Sequence, residues 1–166
     1  MGSGSSDLLP SFYPFTLQIG RMNTMKKFLA SLFFFGFLLN FVWEVTQAPL
    51  YALTGLGTRD LVPFIAIRWW VSFGDAFTIF VAYLVISAIF RNERWIAKKI
   101  VAPWAVFLLG LMVWQAGIEY FSVYIWHRWA YGILMPTILG IGISPLLQML
   151  IVPPIAIFLS RKYLAE

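Results

Sequence analysis

The sequence predicts an all-α membrane protein, a bundle of four transmembrane helices with both termini on the cytoplasmic side. Three observations lead there. Hydrophobic residues make up 61% of the 166 residues and charged ones only 11%, too little polar surface to cover a water-soluble domain of this size. Four apolar stretches are each long enough to cross a bilayer core, which takes about 20 residues of helix. Lysine and arginine gather in alternate connections, the mark of segments held on the cytoplasmic side.

Taken in order, residues 1–25 read as a flexible leader. MGSGSSDLLPSFYPFTLQIG is rich in small and turn-forming residues, and Met22 or Met25 is an alternative start. MKKFLASLFFFGFLL has the basic and apolar regions of a signal peptide. Its apolar run flows into NFVWEVTQ without a break, and Pro49 follows TQA, the one small-residue site, so an uncleaved first span over about 28–50 is expected. The second span is expected over about 61–90, the third over about 100–125 and the fourth over about 131–160. The second and fourth exceed a bilayer and require tilt or a break. Pro136, Pro145, Pro153 and Pro154, with Gly140 and Gly142, give the fourth reasons to bend or fray. WAYGILMP, at its start, reads either as a re-entrant cap or as an aromatic belt.

The charge bias sets the orientation. Arg21, Lys26 and Lys27 precede the first span; Arg91, Arg94, Lys98 and Lys99 separate the second and third; Arg161 and Lys162 follow the fourth. The opposite connections hold only Arg59 on one and Arg128, with His127, on the other. An inner (plasma) membrane is the simplest home for such a chain. The net charge of +5 therefore reads as topology, and no nucleic-acid partner is expected. The chain has no cysteine and one histidine, which excludes thiolate and multi-histidine metal sites and bis-histidine haem. No phosphate-cradling glycine loop and no Ser–His–Asp arrangement is present, and neither a cofactor nor a metal is expected.

Chemistry concentrates in one layer. Asn40, Trp43, Glu44 and Gln47 share one helical face. Arg68 and Asp75 face one way on the second span, Gln115 and Glu119 on the third, and Ser144 and Gln148 on the fourth. With the N-terminus inside, all of these fall in the outer half of the membrane. An ionisable residue near the bilayer centre costs on the order of 2.5–3.5 kcal/mol, so such groups face a bundle interior. Of seven acidic residues, Glu44, Asp75 and Glu119 sit in spans, and only Arg68 can neutralise one by charge. An acid that keeps its proton in such a layer is a candidate proton donor. Trp69, Trp70, Trp104, Trp126 and Trp129 fit interfacial anchors, while Trp43, beside Glu44, can hold a cation on its ring face.

NFVWE, with Asn40, Trp43 and Glu44, resembles the N-x-x-W-E element of the integral-membrane terpene cyclases of meroterpenoid and indole-diterpene pathways. That resemblance implies a membrane-embedded acid that protonates an epoxide or alkene of a polyprenyl substrate, with Glu44 as donor or its partner and Asp75 as a second acid. A looser likeness, Glu44, Gln47 and Pro49 in E-x-x-Q-x-P order, is to the sterol-isomerase and sigma-receptor fold, where buried acids and aromatics handle a lipid-like cation.

The leading functional expectation is thus an intramembrane acid–base enzyme, a cyclase or isomerase acting on an isoprenoid or other lipid-like substrate. Glu44, Asp75, Glu119 and Arg68 are its catalytic candidates. Asn40, Trp43, Gln47, Gln115, Trp129, Ser144 and Gln148 are the substrate-binding candidates. The partners are then a lipid-soluble small molecule and membrane lipids, with a homo-oligomer compatible. Two alternatives stand beside it. One is a proton-coupled transporter of hydrophobic or cationic compounds, like the small four-span multidrug exporters; the other is an accessory or assembly subunit in which the polar layer only fixes packing.

Overall fold

The computed structural model describes residues 15–52, 60–93, 95–97 and 100–164, with side chains described from residue 23 onward. Four helices dominate: α1 (Phe15–Gln47), α2 (Leu61–Ile89), α3 (Val101–Tyr120) and α4 (Ile143–Tyr163). Each contributes to a stretch long and apolar enough to cross a membrane, Asn23–Leu50, Leu61–Ile89, Val101–Ile125 and Ile143–Tyr163, so the chain is a multi-pass all-α membrane protein. The helices pack in a ring, with α1 against α2 and α4, and α3 against α4 and α2.

Three of the helices start alike. Pro63, Pro103 and Pro145 each occupy the third position of their helix, where the missing N–H is one that has no partner within the helix. A turn of 3-10 helix, Ala48–Leu50, follows α1, and another, Trp95–Ala97, lies between α2 and α3. A five-residue π-helical turn, Phe121–Ile125, extends α3.

The first span is carried by α1, whose helix begins at Phe15, and residues 1–14 of the expected leader lie outside the described residues. One expectation of extent is corrected. The fourth helix begins at Ile143 rather than near residue 131. The preceding segment, 126–142, is a loop carrying a two-residue hairpin, β1 (Thr137–Ile138) paired antiparallel with β2 (Ile141–Gly142). Leu139 and Gly140 make its turn, both left-handed at φ 52° and 80°, as a two-residue hairpin requires. Pro136, Gly140 and Gly142 divert the chain here, and the apolar residues that lengthen the hydropathy signal, Ile133 and Leu139, are fully exposed. Pro153 and Pro154 do not stop α4, which runs on to Tyr163. Of the residues behind the charge bias, Arg59, Arg94, Lys98 and Lys99 lie outside the described residues.

Each helix buries one stripe, and each stripe changes character halfway. Towards the end holding the start of α1 and the end of α4, the core is apolar: Phe28 and Leu32, Ile79 and Ile86, Phe107 and Leu111, Val152 and Ile157. Trp95 plugs that end. It is fully buried, its Nε1 donates to Ser87 Oγ at 3.0 Å, and its ring meets Tyr83, Trp104 and Phe107. Towards the opposite end, where α1 and α3 finish and α2 and α4 start, the same stripes continue as Asn40, Glu44 and Gln47, Arg68 and Ser72, Gln115 and Glu119, and Gln148.

Candidate functional site

The polar halves of the four stripes meet under the 126–142 loop. α1 brings three side chains one turn apart, and Gln47 is their hub. Its Nε2 donates to Glu44 Oε1 at 2.6 Å and to Gln148 Oε1 at 3.3 Å, while its Oε1 accepts from Ser144 Oγ at 2.8 Å and Trp43 Nε1 at 3.3 Å. Both donors and both lone pairs of this amide are used. Gln148, fully buried on α4, donates from Nε2 to Asn40 Oδ1 and to Asp75 Oδ2, each at 2.9 Å. Asn40 returns its own amide to the Gly36 carbonyl at 2.8 Å. A hydrogen-bonded path thus runs from Glu44 through Gln47 and Gln148 to Asp75, across three helices.

Replacing Gln148 with leucine orphans acceptors on Asn40 and Asp75 together. At about 1–3 kcal/mol for each buried polar group left unpaired, the variant is expected to lose several degrees of melting temperature in detergent, measured against wild type. Gln148→Glu, which keeps the length but removes the donors, should do no better.

The second carboxylate cluster is on α3. Glu119 Oε2 accepts from Tyr131 Oη at 2.6 Å and from Trp129 Nε1 at 3.3 Å, and the Gln115 and Tyr51 side chains also face it. The loop that carries Trp129 and Tyr131 therefore folds back as a cap. Tyr51 and Tyr131 form an antiparallel bridge, Ala52 N–H donates to the Ala130 carbonyl at 2.9 Å, and Gly132 N–H donates to the Leu50 carbonyl at 2.8 Å. Gly142 N–H donates to Tyr131 Oη at 2.9 Å, and Tyr124 Oη donates to the Gly140 carbonyl at 2.7 Å. A side chain at Gly142 would meet the Tyr131 ring at 3.0 Å, so glycine lets the hairpin close on that tyrosine. The π-helical turn beginning at Phe121 widens α3 just after Glu119, a distortion frequent at functional sites.

The cap tyrosines hold their protons tightly. Burial, then the Glu119 charge, pushes the Tyr51 hydroxyl well above its usual value, and burial, then the hydrogen bond to Glu119, does the same for Tyr131. The ordinary tyrosine value near pH 10 marks where the unfolded chain begins to release these protons while the folded chain still keeps them. Stability should therefore be full below about pH 10 and fall as pH rises beyond it. Thermal melts between pH 8 and pH 11 check this, and Tyr131→Phe should flatten the decline.

Arg68 and Asp75 do not pair: two helical turns separate them by about 10 Å along the axis, and Arg68 instead faces Glu44, Nη1 to Oε2 at 4.0 Å. The cation–π contacts among the described residues are Arg68 over Phe64 at 5.0 Å and Arg128 over Trp126 at 4.7 Å. Trp69, Trp70 and Trp126 are exposed, as anchors would be, but Trp104 is partly buried against Trp95 with ring centroids 5.1 Å apart. His127 is exposed, its Nδ1 3.2 Å from the Val123 carbonyl. Tyr51, Tyr124 and Phe64 were not anticipated, since a single aromatic near a span end carries no signal beyond an interfacial anchor.

Between α2 and α3, on the side of the apolar half, lies a groove of about 410 Å³ lined by Phe77, Val81 and Val85 and by Val106, Gly110 and Trp114 among others. Asp75 is one turn along α2 from Thr78 in its wall, and Gln115 follows Trp114. Comparisons with known protein families, curated proteins and solved structures return no match.

Proposed function

We propose that the polar layer is an intramembrane acid–base site acting on an isoprenoid or other lipid-like substrate, whose cyclisation or isomerisation begins with protonation of an alkene or epoxide. The observation that carries this reading is the meeting of three carboxyl groups from three helices under one cap. Two of them, Glu44 and Asp75, share a hydrogen-bonded path, and Glu44 Oε2 has no hydrogen-bond partner among the described residues. In this role Glu44 gives the proton from Oε2, the atom left free of the network. Asp75 and Glu119 hold or return protons, Arg68 balances charge, and the Trp43 ring shields a developing cation. The apolar groove between α2 and α3 supports a substrate that enters sideways from lipid, its chain along the helices and its reacting end at the layer. The cap, tied by Tyr131 to Glu119, keeps water from a carbocation. We place the protein in an inner (plasma) membrane, where a homo-oligomer is compatible with this chemistry.

One observation favours a second reading. The amide of Gln47 is fully satisfied by protein groups, and that of Gln148 nearly so, as in helix-to-helix packing, which suits an assembly subunit. Lipid-soluble metabolites of cells expressing wild type, Glu44→Gln or Asp75→Asn separate the two. The enzyme reading expects a product to vanish and its precursor to accumulate in variants that melt like wild type. Unchanged metabolites with lowered melting temperatures would favour the packing role.

A further inference from the structure

A buried guanidinium ordinarily meets oxygen atoms with most of its five N–H groups. Arg68 does not. It is 0% exposed, yet Nε, Nη1 and Nη2 have no hydrogen-bond partner among the described residues. Glu44 Oε2, at 4.0 Å, is too distant for a hydrogen bond and is itself unpartnered. Phe64 covers one face of the cation at 5.0 Å but can accept none of these protons in the plane of the group. The nearby Ser72 Oγ is engaged elsewhere, with the Arg68 carbonyl at 2.6 Å.

A charge buried with its donors unmet is among the costliest things a fold can keep. Among the described residues nothing meets these donors, and an anion from outside the chain can supply the acceptors. We propose that Arg68 receives an oxyanion, the carboxylate or phosphate headgroup of a single-chain amphiphile whose tail lies among the helices. The planar fork of the guanidinium matches such a group two bonds at a time. Arg68 offers the headgroup the unmet N–H donors of Nε, Nη1 and Nη2. A neutral head would leave donors of Arg68 unmet, and an ammonium head would be repelled. Taking the amphiphile to be the substrate rests on the acid–base reading above; the anion site itself does not.

Binding tests this without turnover. The full chain in phosphatidylcholine nanodiscs is titrated by calorimetry, against empty discs, with decanoate, decyl phosphate, decanol, decylamine and inorganic phosphate. An acidic decyl compound should bind at least about tenfold more tightly than decanol, and Arg68→Lys, which keeps charge but loses the fork, should weaken it about tenfold. Tighter binding of decyl phosphate than of decanoate assigns the headgroup as phosphate, and the reverse as carboxylate. Equal binding of acidic and neutral compounds by wild type overturns the proposal, whether or not Arg68→Lys folds. So does inorganic phosphate binding as tightly as decyl phosphate, or a preference lost in Lys27→Gln, at the other end of the bundle, rather than in Arg68→Lys. If Glu44→Gln leaves the metabolites unchanged while the anion preference stands, the acid–base reading fails alone; if the preference is absent while Glu44→Gln abolishes the product, this inference fails alone.

Discussion

Glu44→Gln is expected to reduce product formation by roughly 10²–10⁴-fold, the usual worth of a positioned general acid, while leaving the bundle folded. The substitution is isosteric. Its amide oxygen can keep the 2.6 Å bond from Gln47 Nε2, so stability should move by no more than about 1 kcal/mol. What it removes is the acidic proton at Oε2. Glu44→Ala makes the contrast: it also leaves a Gln47 donor unpaired in the interior and should lower the melting temperature. Product assays on membranes, normalised to folded protein, measure both effects. A Glu44→Gln protein that turns over normally would remove Glu44 from the chemistry.

Trp95→Ala is expected to produce the largest loss of stability. Removing a fully buried large aromatic costs about 3–5 kcal/mol in the cavity left behind. Here the loss reaches further, because Trp95 is the plug around which Tyr83, Trp104 and Phe107 arrange, and its indole N–H is the donor to Ser87 Oγ. The residue lies at the end of the bundle away from Glu44, so surviving folded protein should retain the activity and the anion preference of wild type. Thermal unfolding in detergent, read by tryptophan fluorescence with Trp104→Phe as a milder control, checks the prediction.

Much of this arrangement is legible in the sequence because helical spacing is a physical constraint. Asn40, Glu44 and Gln47 had to share a face, as did Gln115 and Glu119 and Ser144 and Gln148, and alternate helix direction put them at one depth. The partners across helices were not legible. Gln148 bonds Asn40 and Asp75 from 108 and 73 residues away, a register that only packing decides. Arg68 reaches Glu44 on another helix and not Asp75 on its own, because two turns of helix exceed the span of the two side chains. The start of α4 was misplaced because hydropathy scores an apolar loop as it scores a span: Ile133, Leu134, Ile138 and Leu139 are all exposed in the cap. Trp95, in a basic connection between spans, carried no sign that it would be buried.

A carboxylic acid in this layer that protonates an alkene puts its proton on carbon of the lipid-like molecule, and isotope transfer tests this most directly. Membranes containing the protein, and membranes containing Glu44→Gln, are incubated with a total lipid extract in D₂O, and the neutral and acidic lipids are analysed by mass spectrometry. Wild type is expected to form a lipid product one mass unit heavier, carrying deuterium on carbon, and Glu44→Gln is not. Identical lipid spectra from both membranes, with both proteins folded, would contradict it.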